Sequence, residues 1–91
     1  MKNKSIIIKG SKWSIKYLRH DHPSLEGNNG LTKYAEKLIL ISKTPDVAIK
    51  NVYWHEYLHA FFWECGIRDL DTNFEHALIE NLADLLERVD K

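Results

Sequence analysis

Two histidines spaced four residues apart, with a glutamate beside the first, are the residues of this sequence best suited to chemistry. They occur in the run WHEYLH at residues 54–59. On a helix, residues i and i+4 lie on one face, so His55 and His59 could bind one metal ion together. Neutral imidazole is a good zinc ligand, and a neighbouring carboxylate can take a proton from a water that the metal activates. We therefore predict His55 and His59 as Zn²⁺ ligands and Glu56 as the general base. The alternative is a helix whose two histidines are satisfied by hydrogen bonds.

A catalytic zinc usually takes three protein ligands, and the third is less directly indicated. The extended motif HExxHxxGxxH is absent, because Phe62 and Cys65 occupy the positions of its glycine and third histidine. The candidates therefore lie in the last predicted helix. His76 and Glu80 are one turn apart, so one could bind the metal while the other orients a ligand histidine. Glu75 should project about 100° from His76, towards the apolar stripe. The alternative for all three is a solvated helix face.

Several short strands should precede the histidine pair. Residues 5–9 are a β-branched run, and residues 12–19 alternate between apolar and polar side chains, as half-buried strands do. Residues 37–42 are the strongest strand signal, and residues 31–34 are a weaker one. The residues between them, Ala35 and Glu36, are either a tight turn or part of one bent strand.

The histidines themselves fall in a predicted helix. Thr44 and Pro45 are typical of a helix start, and Gly66 is typical of a stop. The helix should therefore run from residues 44–46 to about Cys65. Its second half is apolar on nearly every side, which predicts burial on several sides. Charged groups are seldom buried without partners, so a His, Glu and His within such a helix favour a functional site.

A second helix should follow, capped by Thr72 or Asn73 and reaching about Val89. The main apolar stripe of this helix comprises Phe74, Leu78, Leu82, Leu85 and Val89, and Ile79 and Leu86 widen it. The sequence thus predicts an α+β protein with a small antiparallel sheet of about three strands, then the HExxH helix and a C-terminal helix.

Size and composition fit one small domain, residues 1–91. No apolar run approaches about 20 residues, so we expect no membrane span. The single cysteine fits a reducing compartment, which indicates a cytoplasmic protein. Residues 1–50 carry ten Lys or Arg and four Asp or Glu, whereas residues 51–91 carry three and nine. Because the lysines are scattered, we interpret the halves as neutralising each other and do not expect nucleic acid as a partner.

A further pair of histidines lies at His20 and His22, on either side of Asp21. The two histidines could form a second metal patch. They fall in a predicted loop, however, and no third ligand stands at a clear spacing. We therefore favour a solvated loop.

The run LILIS at residues 38–42, the HExxH run and Gly66 together resemble small zincin-like metallopeptidases of the ImmA/IrrE kind, and more closely their short relatives in phages and mobile elements. The resemblance covers roughly residues 30–89 and is strongest at HExxH. It implies an HExxH helix under a small antiparallel sheet whose edge strand lines the cleft. It also implies a third ligand, usually glutamate, from a pattern like E-x-x-A-N-x-F-A on the following helix.

Two departures from that family pattern are visible. Placing Leu82 and Ala83 on the final F-A puts the ligand at His76 and the asparagine at Glu80, so this chain offers histidine, as SprT-like zincins do. No helix precedes the sheet, which leaves its back less covered and suggests a partner or a dimer there. The resemblance implies a zinc metallopeptidase acting on a protein or peptide. The alternative is a non-catalytic zincin-fold binding module of a phage or mobile element with a structural metal.

Overall fold

The computed structural model of the protein describes residues 4–89, which form a sheet, a helix packed on it and a second helix packed on the first. The predicted α+β class is confirmed. The strands are β1 (Lys4–Ile8), β2 (Ser11–Leu18), β3 (Gly30–Lys33) and β4 (Leu38–Ser42); a short 3₁₀ helix (Pro23–Leu25) lies between β2 and β3, and the helices α1 (Ile49–Glu64) and α2 (Thr72–Val89) follow.

The sheet has four strands in the order β1-β2-β4-β3, and it is mixed. β1 is antiparallel to β2, β3 is antiparallel to β4, and β2 and β4 run parallel. The predicted sheet of about three strands is roughly compatible with these four, but the expectation that all strands are antiparallel does not hold for β2 and β4. The cause is the path of residues 19–29. After β2 they carry the chain to the far edge of the sheet, so the place next to β2 is left for β4. The hairpin turn between Tyr34 and Lys37 then returns β4 into that position.

The inner face of the sheet supplies most of the core. Trp13 and Ile15 of β2 and Ile39 and Ile41 of β4 are almost fully buried there against α1. Leu40 points to the opposite face, and it is also buried because the 3₁₀ helix packs over β4. The back of the sheet, which was expected to be less covered, is therefore covered at β4, while the lysines of β2 remain exposed.

The first helix begins at Ile49, later than the predicted start at residues 44–46. The backbone N–H of Thr44 donates to Ser42 Oγ, and that of Asp46 donates to Asn29 Oδ1. These loop contacts satisfy backbone groups that a helix would otherwise use, so the segment remains irregular. The predicted stop is confirmed, because α1 ends at Glu64 and Gly66 takes the left-handed φ of +82° that glycine tolerates best.

The second helix has the predicted extent but a different cap and a different buried face. Asp71 Oδ1 accepts the backbone N–H groups of residues 73 and 74, so Asp71 caps the helix in place of Thr72 or Asn73. Ile79 and Ala83 are the fully buried residues of α2. Three members of the predicted apolar stripe are instead largely exposed: Phe74 at 58%, Leu85 at 50% and Val89 at 72%.

Candidate metal centre

Helix α1 lies between the sheet and α2, which explains its apolar character on nearly every side. Val52 and Ala60 pack on the sheet, whereas Leu58 and Phe62 pack on α2. The strip between these two faces carries His55 and His59, and it opens into a cleft. The tertiary structure therefore places both histidines where a solute can reach them.

The two histidines are arranged as a pair of metal ligands would be. Their Nε2 atoms lie 3.3 Å apart. Two nitrogens each about 2.0–2.1 Å from a tetrahedral zinc are separated by roughly 3.3 Å. The spacing of the pair thus fits zinc, and it also allows a hydrogen bond between the two rings.

Glu75 fixes the second of these histidines from behind. Its Oε2 lies 2.8 Å from Nδ1 of His59, and both side chains are largely buried. A proton on Nδ1 donates to the carboxylate, which leaves the Nε2 lone pair free for a metal, an arrangement common in zinc proteins. The contact is compatible with the expected projection of Glu75, about 100° around α2 from His76. It gives Glu75 an orienting role.

His76 joins the same cluster from α2. Its ring centre lies 6.1 Å from that of His55 and 5.5 Å from that of His59, and its side chain is exposed at the cleft. Glu80, one turn further on, is close enough to act electrostatically on His55. Within residues 4–89, no group of three or more His, Cys, Asp or Glu side chains is already gathered to hold a metal ion. The choice of His76 as third ligand stays a prediction.

The surroundings of both α1 histidines favour the neutral imidazole. Burial lowers the pKa of His55, and the neighbouring His59 and His76 lower it further, against an opposite effect of Glu80. Burial also lowers the pKa of His59, although the hydrogen bond to Glu75 opposes this. Because zinc binds the unprotonated imidazole, lowered pKa values favour a metal at neutral pH.

Glu56 points from α1 towards the sheet and is 8% exposed. Burial raises its pKa to about 7, and a hydrogen bond from Thr32 opposes that rise. Oγ1 of Thr32 lies 2.7 Å from Oε1 of Glu56 and 3.1 Å from the Glu56 carbonyl oxygen. A carboxyl that titrates near neutral pH is suited to take and return a proton.

Gly30 lets the edge strand β3 approach α1 closely enough to hold Glu56. A Cβ at this position would lie 2.8 Å from Val52 Cγ1, 2.9 Å from Glu56 Cγ and 3.1 Å from the carbonyl oxygen of Leu40. Sequence reasoning missed both Gly30 and Thr32. A glycine at the junction of a loop and a strand is the signal that could have indicated the close approach.

The cleft in front of these residues has a volume of about 460 Å³, which is within the range of small-molecule and peptide sites. Its walls are β3 with the loop before it, the segment before α1, and the facing sides of α1 and α2. The lining residues are Asn28, Asn29, Gly30, Leu31, Thr32, Tyr34, Val47, Asn51, Val52, His55, Glu56, His59 and His76.

Tyr34, at the end of β3, combines a packing role with a place in the cleft wall. Its ring stacks on Trp63 with 4.6 Å between centroids. Burial raises the pKa of Tyr34 to about 12, and the charges of Glu75 and Glu56 add to the effect. The phenol therefore keeps its proton at neutral pH and can donate a hydrogen bond.

The second histidine pair has structural contacts that agree with a loop role. His20 Nδ1 lies 2.8 Å from Oγ of the buried Ser42, and its Nε2 lies 3.8 Å from Asp46. His22 Nδ1 accepts the backbone N–H of Ser24 and caps the 3₁₀ helix. The two rings thus serve different partners.

Comparisons with known proteins add no family assignment. No protein-family model matches the chain, and neither a curated protein nor a solved structure matches it. Over residues 4–89, no helix has the length and apolar character needed to cross a membrane.

Proposed function

We propose that this chain is a small zincin-type, zinc-dependent metallopeptidase of the cytoplasm. In this proposal His55, His59 and His76 hold the metal, and Glu56 is the general base. The observation that carries the proposal is the 3.3 Å separation of the His55 and His59 Nε2 atoms beside a buried Glu56. The Glu75 carboxylate behind His59 supports it, because it leaves Nε2 unprotonated.

The donor set fits zinc in kind, and the pair His55 and His59 also fits it in spacing. Three imidazoles are an established ligand set for catalytic zinc. Bound zinc would supply a Lewis acid that polarises a carbonyl and acidifies a water. The chain's own contribution is to hold neutral imidazoles in place and to supply a base.

Glu56 carries the proton through the proposed reaction. As a carboxylate it takes a proton from the attacking water while the water oxygen bonds to the peptide carbonyl carbon. The protonated carboxyl then delivers that proton to the leaving nitrogen as the C–N bond breaks. A pKa of about 7 makes both directions accessible at neutral pH. Thr32 holds the carboxyl against β3, in the wall of the cleft, through its 2.7 Å hydrogen bond.

A peptide substrate is inferred from the family resemblance, and one feature of the cleft supports it. In the described part of the chain, β3 pairs with β4 and with no other strand. Its other edge faces the cleft that His55 and Glu56 line. An exposed strand edge can hydrogen-bond an extended peptide along its length.

The test combines two measurements on wild type and Glu56→Gln. Each protein is loaded with zinc, its zinc content is measured, and a diverse peptide library is incubated with it and analysed by mass spectrometry. We expect both proteins to hold zinc and the wild type alone to produce cleaved peptides. Zinc-loaded wild type that cleaves no peptide would contradict the enzyme and favour the non-catalytic binding module.

A further inference from the structure

The outer side of α2 carries a continuous apolar stripe that the fold leaves exposed. At 100° per residue, Phe74, Leu85, Leu78, Val89 and Leu82 follow one another within an arc of about 80°. Phe74, Leu85 and Val89 are at least half exposed, whereas Leu78 and Leu82 also touch the core under the helix. A row of apolar residues on a helix face of this extent is typical of a contact surface.

The carboxylates of α2 lie outside this stripe, and Arg88 lies at its edge. Glu75 contacts His59, and Glu80 acts on His55. Asp84 and Glu87 both accept from the Asn51 side chain on α1, at 2.7 and 3.1 Å. The helix is acidic overall, yet two copies brought together through the stripe would not place carboxylates against each other.

The separations between residues of the stripe are the same from its N-terminal end as from its C-terminal end. Phe74 and Leu78 are four residues apart, Leu78 and Leu85 seven, and Leu85 and Val89 four. Two antiparallel copies would therefore place Phe74 against Val89 and Leu78 against Leu85, twice each. An interface that repeats the same contacts on both sides is what a two-fold dimer requires.

We infer that α2 packs antiparallel against α2 of a second copy of this chain, through Phe74, Leu78, Leu85 and Val89. A helix of 18 residues is about 27 Å long, so the contact buries on the order of 1,000 Å² or less in total. That is the low end of specific interfaces, and the dimer should be a weak one that depends on concentration. The stripe lies about 160° around α2 from His76, so the inference does not rest on the proposed activity.

The first test is sedimentation velocity over a concentration series from micromolar to millimolar. Wild type should shift from monomer to dimer, and Leu85→Glu should raise the dissociation constant at least tenfold. Ile7→Glu is the matched control, because Ile7 is an apolar residue of β1 that is 65% exposed; this variant should dimerise as wild type does. A wild type that stays monomeric throughout, or a dimer weakened by Ile7→Glu and not by Leu85→Glu, would overturn the inference.

Cross-linking tests the antiparallel direction with variants that introduce no charge into the stripe. In a Cys65→Ser background, which removes the exposed native thiol, Asn81→Cys and Val89→Cys are each treated with a short bismaleimide. Residue 81 lies next to the two-fold axis and should link to its own copy. The two copies of residue 89 would lie about 22 Å apart, beyond reach. Linking at residue 89, or none at residue 81, would contradict the arrangement even where Leu85→Glu fails to fold.

Discussion

His59 and Glu75 form a contact of 2.8 Å between Nδ1 and Oε2 that joins the two helices at the candidate metal centre. The carboxylate selects the tautomer of the imidazole and holds its ring in place. A histidine fixed in this way keeps its Nε2 lone pair directed at the cleft before any metal arrives.

Glu75→Ala should therefore weaken zinc binding by about 10–100-fold, since loss of such a partner has effects of that size. Glu75→Gln should weaken it less, because the amide oxygen can still accept the Nδ1 proton. Zinc affinity would be measured by competition with a chromophoric chelator. Equal affinity in wild type and Glu75→Ala would show that the contact does not serve the metal.

His76 and Glu80 are the competing candidates for the third ligand. We expect His76→Ala to lower zinc affinity by more than about 100-fold. Removing a metal ligand should weaken binding more than removing a residue that only orients a ligand. Glu80→Ala should have a smaller effect and serves as the matched control on the same ridge of α2. Stoichiometric, tightly held zinc in His76→Ala would reject His76 as the ligand.

Glu56 should give the metal-free protein a distinctive pH dependence. Its pKa rises from 4.5 in the unfolded chain to about 7 in the fold, so the folded state binds the proton more tightly. The stability this carboxyl contributes is complete below pH 4.5 and is lost as pH rises through about 7. The difference of about 2.5 pKa units corresponds to roughly 3 kcal/mol.

The Glu56→Gln variant lacks the titrating carboxyl. Comparing it with wild type therefore separates the effect of Glu56 from that of the histidines. In urea unfolding with a chelator present, the stability of Glu56→Gln relative to wild type should increase between pH 4.5 and pH 8. A difference between the two proteins that is the same at every pH would show that the carboxyl is not buried as described.

Gly30→Ala should destabilise the protein by about 1–3 kcal/mol, since the added methyl group meets Val52, Glu56 and Leu40. Val52→Ala removes the nearest of these contacts. In the double variant the cost should be smaller than the sum of the two single costs, because the sites are in direct contact. Strict additivity in urea unfolding would indicate that β3 lies further from α1.

Local patterns in the sequence predicted the elements themselves. The β-branched and alternating runs became strands, Gly66 ended α1, and the last helix has the predicted extent. The spacing of His55 and His59 was sufficient to predict their shared face, because i and i+4 neighbours are fixed by helix geometry alone.

Contacts between distant residues could not be predicted in the same way. Thr32 and Glu56 are 24 residues apart, and their hydrogen bond depends on which edge of the sheet β3 occupies. The parallel pairing of β2 with β4 depends on the path of residues 19–29, which carry no periodic signal. Such features follow from tertiary packing.

The apolar pattern of α2 shows a further limit of sequence reasoning. Periodicity indicated a wide apolar arc but not which part of it faces the core. Ile79 and Ala83 occupy the buried side, and Phe74, Leu85 and Val89 remain outside. The part of the arc that the core does not use is the surface inferred to pair with a second copy.

Zinc binding to purified wild type and to the double variant His55→Ala/His59→Ala tests the central claim most directly. After removal of metal, each protein is titrated with zinc in a calorimeter, with His20→Ala/His22→Ala as a control for histidines outside the cleft. We predict one tightly bound zinc per chain in wild type and control, and none in the double variant. Zinc binding that survives loss of both α1 histidines, or is absent from wild type, would contradict the proposed metal centre.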